Sequence, residues 1–110
     1  MIQSVSPTAI TVNGETYGET IALSPETVLT GWPAKSIGDL SDDDFRAILD
    51  GSPEMVLLGT GAQNIFAPRD LIFAFARRGV GLEVMDTAAA ARTFNVLASE
   101  GRKVAAVLYL

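Results

Sequence analysis

Cysteine and histidine are both absent from this chain of 110 residues. Without thiols there is no disulfide, no thiolate nucleophile and no cysteine-ligated metal. Without imidazole, acid–base chemistry loses the side chain that ordinarily titrates near neutral pH. Basic residues are scarce: eight lysines and arginines stand against thirteen aspartates and glutamates, a net charge of −5. Such a surface repels a phosphate backbone over most of its area, so nucleic-acid binding is not expected. Long apolar runs are also missing. The longest, Leu71 to Ala76 and Val104 to Leu110, fall far short of the roughly 20 residues that cross a bilayer as a helix. Met1 to Pro7 carries neither a basic n-region nor the apolar segment of a signal peptide, which makes the cytoplasm the expected location.

What is present suits one folded unit. The chain is 48% hydrophobic and 19% charged, close to globular averages, and a chain of this length buries roughly two thirds of the surface it exposes when unfolded. No repeat, low-complexity tract or linker interrupts it, so a single α/β domain over residues 1–110 is expected.

Ala9 to Val12 and Glu15 to Tyr17 flank Asn13-Gly14, the pair best suited to a type I′ turn, in which both central residues need positive φ. Ile21 to Leu23 and Thr27 to Leu29 bracket Ser24-Pro25-Glu26 and read as a second hairpin. Trp32 sits among turn residues and is expected to plug the edge of the core. Ser41 is placed to cap a helix through its hydroxyl. Asp42, Asp43 and Asp44 then favour the positive end of the helix dipole, and Phe45, Ile48 and Leu49 supply an inward stripe. After Gly51 and Pro53, Met55 to Leu58 is an unbroken apolar run of the kind buried on both faces, expected as a central strand. Pro68 at the first helical position opens a helix through Arg78, with Gly79 at its end. Gly81 to Met85 reads as a buried strand, Thr87 to Ser99 as a capped helix and Lys103 to Leu110 as the last strand. Two consecutive β-α-β units follow. Right-handed crossovers place the strands at Leu57, Val84 and Ala106 parallel, side by side or one apart.

Leu57-Leu58-Gly59-Thr60-Gly61, the run Gly81 to Thr87, Arg92-Thr93-Phe94-Asn95-Val96-Leu97 and Glu100-Gly101-Arg102 carry a resemblance that covers nearly the whole chain. The chain resembles a family of small domains of unknown function. That family includes stand-alone bacterial and archaeal proteins, the adipogenesis-associated cytosolic protein of animals, and a mitochondrial factor that assists assembly of respiratory complex I. The resemblance implies a three-layer α/β fold, with a mixed central sheet and an added N-terminal β-hairpin, and no established enzyme activity. Many relatives carry cysteine where this chain has Ala91 and tyrosine where it has Phe94, so any thiol-based role cannot operate here. The mitochondrial relative needs a targeting presequence, which makes its assembly role an analogy for this chain.

If the strands at Leu57 and Val84 are parallel, their carboxyl ends bring Gly59, Thr60 and Gly61 close to Asp86 and Thr87, where α/β sheets hold ligands. The competing reading is that the glycines permit a tight turn and Asp86 or Thr87 caps the helix. Arg92, Asn95 and Ser99 share one helix side, away from Ala90, Phe94 and Leu97. They form either a solvated face, with Arg92 paired to Glu83 or a nearby aspartate, or a row in which Arg92 holds a carboxylate. In the second helix, Leu71, Ile72 and Phe75 can point inward together while Phe73 lies roughly 200° away, which marks Phe73 as a partner or self-association surface unless a loop or the N-terminal hairpin covers it. The aspartates at 39, 42, 43, 44 and 50 with Glu54 lack the spacing of a cation loop, and Gly59-Thr60-Gly61 lacks the rest of a phosphate or dinucleotide motif. No metal or cofactor is expected. Three functional readings stand: a non-catalytic module that binds or assembles with another protein; a small-molecule-binding protein or weak enzyme using the crevice, with Asp86 as base and Arg92 as anion anchor; and a purely structural part of a larger complex.

Overall fold

A computed structural model describes every residue except Ala34. Ile2–Val5 (β1), Ile10–Val12 (β2) and Glu15–Tyr17 (β3) form an antiparallel three-stranded sheet in that order. Asn13 and Gly14 take φ of 49° and 84°, as a type I′ turn demands. The expected hairpin thus gains a third strand, β1, whose register against β2 is broken between Ile2 and Ser4.

The main sheet has the order β5-β4-β8-β6-β7, built from Ile21–Leu23 (β4), Val28–Leu29 (β5), Met55–Gly59 (β6), Gly81–Met85 (β7) and Val104–Leu108 (β8). Both neighbours of β6 run parallel to it, while β4 is antiparallel to β8 and to β5. The mixed sheet and the two β-α-β units follow directly from this pairing. Strand β7 corrects the expectation of a buried strand. It is an edge strand, with Glu83 exposed between half-buried Leu82 and Val84.

The two apolar runs of β6 and β8 are read on both faces. Leu57, Ala106 and Leu108 face the long helix Thr87–Ser99 (α3), packing with its Ala90, Ala91 and Phe94. Ile2, Ile10 and Val12 of the small sheet complete that cluster, so α3 is held between the small sheet and the main one. On the opposite face, Val56, Leu58, Ala105 and Val107 meet Phe45, Leu71 and Phe75. Those last residues come from a 3-10 turn at Asp42–Phe45, which leads into the short helix Arg46–Leu49 (α1), and from Arg69–Arg78 (α2).

Local details differ from the sequence reading in three places. Asp44 does more than favour the helix dipole: its carboxylate accepts the Ser41 N–H at 2.9 Å and closes a capping box with Ser41 before α1. Pro68 stands one residue earlier than expected, as the N-cap of α2; Gly79 closes that helix at φ 71°. Ile72 is 45% exposed and does not join Leu71 and Phe75 in the core; Ala74 does. No helix among the described residues is long and apolar enough to cross a membrane.

Candidate functional site

The carboxyl ends of β6, β7 and β8 meet in a hydrogen-bonded knot. The Thr60 N–H donates to the Met85 carbonyl, the Thr87 N–H to the Gly61 carbonyl and the Tyr109 N–H to the Gly59 carbonyl, each at 2.9 Å. The Thr87 hydroxyl accepts from the Gly61 N–H at 2.8 Å and donates to the Tyr109 carbonyl at 2.6 Å. The Thr60 hydroxyl donates to the Gln63 carbonyl and accepts the Ile65 N–H. Threonine suits both positions because one hydroxyl can donate and accept at once.

Gly59, Thr60, Gly61, Asp86 and Thr87 are therefore brought together, and they are joined to one another. A Cβ on Gly59 would lie 2.9 Å from the Thr87 Cα, so α3 rests directly on this backbone. Asp86 accepts the Ala89 N–H at 2.8 Å and caps α3. What space remains beside Gly61, Asp86 and Thr87 is about 190 Å³. Arg92 is outside it. The guanidinium lines a separate hollow with Gln3, Ser4 and Asn95, and it forms no ion pair with Glu83 or any other carboxylate among the described residues. Asn95 departs from a solvated row: its side chain accepts the Ile2 N–H at 2.9 Å and donates to the Ile2 carbonyl at 2.7 Å. That clasp pins β1 to α3.

The outer side of α2 is different in kind. Ile72 and Phe73 are 45% and 51% exposed, and the loop before the helix adds Ile65 at 48% and Phe66 at 93%. The N-terminal sheet packs on α3 and leaves this face open. Arg69 and Arg77 carry no ion pair among the described residues, whereas Arg78 reaches Asp42 at 3.0 Å. Sequence reasoning passed over Ile65 and Phe66; the signal was an apolar pair standing inside a stretch of turn residues.

A further cavity of about 700 Å³ opens at the carboxyl ends of β6 and β8, on the α2 side of the sheet, between Glu19, Trp32, Lys35, Ile37, Ile65 and Tyr109. The Trp32 and Phe45 rings pack in a T-shaped pair, centroids 5.3 Å apart, and the indole N–H donates to the Tyr109 hydroxyl at 3.0 Å. Burial pushes the Tyr109 phenol above its ordinary pKa, with the indole N–H acting in the opposite sense. The expected edge plug is also a wall of this cavity.

The family profile described as "Protein of unknown function (DUF498/DUF598)" matches residues 2–109. The chain belongs to this family. A curated relative from Danio rerio, NADH dehydrogenase (ubiquinone) 1 alpha subcomplex assembly factor 3, is 34% identical over 110 residues, 98% of this chain and 63% of the relative. The chain thus spans less than two thirds of that relative's length. An NMR structure from Xanthomonas campestris has a TM-score of 0.89 at 38% identity, covering 99% of this chain and 83% of that one. A crystal structure from Bordetella parapertussis has a TM-score of 0.89 at 33% identity, with coverage of 98% and 92%. The α/β architecture is that of these two structures.

Proposed function

We propose that the chain is a non-catalytic binding module of the assembly-factor type, working in the cytoplasm and engaging another protein through the outer face of α2 and the loop before it. The observation that carries this reading is the exposed apolar set Ile65, Phe66, Ile72 and Phe73. Exposed large apolar side chains grouped on one helix and the loop before it are a mark of interaction sites. Large aromatics are the residues that anchor such contacts, and Arg69 and Arg77, without an ion pair among the described residues, lie near the two ends of the same helix. The assembly-factor names of the curated relatives support the same class. Catalysis draws no support from the geometry, because the Asp86 carboxylate is committed to its cap and Arg92 opens into a different hollow.

The test is capture from native lysate with the tagged chain, followed by mass spectrometry, beside Phe66→Glu and Phe73→Glu variants. A partner that both exposed-site variants lose, with circular dichroism unchanged, is the expected result. Sedimentation of the purified chain separates self-association: a dimer that Phe73→Glu dissolves identifies the partner as a second copy. Capture that both variants leave intact, together with unchanged sedimentation, overturns the α2 face as the contact.

A further inference from the structure

We propose that the cavity framed by Glu19, Trp32 and Tyr109 is a binding site for a small organic cation, an alkylammonium group carrying apolar substituents. This site borders the protein-binding face at Ile65, while α2 itself, with Phe73, and Phe66 contribute nothing to it. Its volume of about 700 Å³ falls within the range of ligand pockets. It also lies outside the carboxyl ends of parallel strands, the place where open α/β sheets hold their ligands.

Charge selects the ligand class. Lys35 lines the cavity, but its ammonium bonds both Asp44 oxygens at 3.0 and 3.1 Å, so that pair is neutral as a unit. Glu19 remains. Its carboxylate is held in place by the Gly31 N–H at 3.1 Å, and no cation pairs with it among the described residues. Gly31 immediately precedes Trp32, so the Glu19 carboxylate is anchored to the same turn that carries the fixed indole. The indole cannot swing freely, because its N–H is tied to Tyr109 and its ring packs against Phe45. An aromatic ring and a carboxylate that line one cavity both favour a positive charge, the ring through its quadrupole and the carboxylate through its own charge. The chain's net charge of −5 adds to that preference at long range. Pro33, Ile37 and Ile65 complete the wall with apolar surface. One carboxylate is too few for a hard metal ion, which gathers six or more oxygens, whereas methyl or methylene groups around a nitrogen match the apolar lining.

The chain has a single tryptophan, so the indole N–H of the nitrogen-15-labelled protein gives one resonance that reports on this cavity alone. Choline is compared with 3,3-dimethylbutan-1-ol, in which carbon replaces the quaternary nitrogen at nearly constant shape. The expected result is a saturable shift of the Trp32 resonance with choline, at a Kd in the millimolar range, and no comparable shift with the alcohol. Glu19→Gln should weaken choline binding about fivefold, while Glu15→Gln, on the exposed hairpin, leaves it unchanged. A Gly-Gly-Lys-Gly-Gly peptide forms a second arm: tighter binding than choline makes the source a protein side chain, and weaker binding makes it a free amine. The proposal is overturned if the alcohol binds as well as choline, if neither cation moves Trp32, or if Glu19→Gln binds choline as the parent does. Any of these results leaves the α2 reading standing, because that reading is scored by capture and sedimentation.

Discussion

Gly59 has no room for a methyl group. A Cβ there would meet the Thr87 Cα and Oγ1 at 2.9 Å and the Ala90 Cβ at 3.2 Å, and all three atoms belong to the first turn of a helix that cannot shift alone. Gly59→Ala is expected to destabilise the fold by about 1–3 kcal/mol, read as a lowered urea midpoint, even though alanine is otherwise the mildest replacement. Asp44 gives a second test at this scale. Its burial would raise the carboxyl pKa, but the Ser41 N–H and the Lys35 ammonium outweigh that and hold it below the ordinary carboxylate range. A carboxyl depressed in the folded state contributes stability that is complete above its unfolded value, about 4, and that is lost as pH falls through the folded value. Urea unfolding near neutral pH and at about pH 3 should therefore show a steep loss for the parent chain and a shallower one for Asp44→Asn, which starts lower at neutral pH. An equal acid slope in both would remove Asp44 from the account.

At the scale of the element, Asn95 is the most consequential side chain of α3. It satisfies both backbone groups of Ile2 across 93 positions of sequence. Asn95→Ala leaves those groups unpaired at a half-buried contact, at a cost of about 1–3 kcal/mol. Amide exchange should quicken through β1 to β3 while β4, β6 and β8 keep their protection; uniform quickening would mean that the small sheet and the main sheet open as one. How far such elements can be read from sequence varies with where their determinants lie. Helix α3 spans Thr87–Ser99, the limits its Asp86 cap and apolar stripe indicate, and the Asn13-Gly14 turn declares its hairpin because both signals are local. Strand β1 hides because Gln3-Ser4 is polar and a register break interrupts its pairing. The phase of α2 is also hard to read: its central run, Leu71 to Ala76, is apolar on all sides, and only the sheet decides that Leu71 and Phe75 go inward and Ile72 does not. The knot at Gly59 to Gly61 was traceable from parallel strand order, but not its filling, which depends on the Thr87 hydroxyl reaching the Tyr109 carbonyl. The cation cavity is assembled from Glu19, Trp32 and Tyr109, residues that only the finished fold makes neighbours.

Across the whole molecule, the main sheet ends in β5, two residues long, on one side and in β7 on the other. The free edge of β7 carries Glu83, exposed between the two half-buried apolar residues Leu82 and Val84. A charge in the middle of an open edge discourages pairing with another sheet. Glu83→Val should accordingly raise light scattering at high protein concentration while leaving the monomer's circular dichroism intact; a variant that stays monodisperse would show that the edge is guarded by other means.

Strand β8 follows β6 and β7 in the chain yet lies between β4 and β6 in space. During synthesis, a nascent chain exposed as far as Gly101 therefore carries two ribbons, β4 with β5 and β6 with β7, whose inner borders have nothing to join them. Both face water with open amides and carbonyls until β8 emerges and slides into the gap. The ribosome thus delivers the keystone after the arch, and this interval is when the newborn polypeptide has most need of a chaperone.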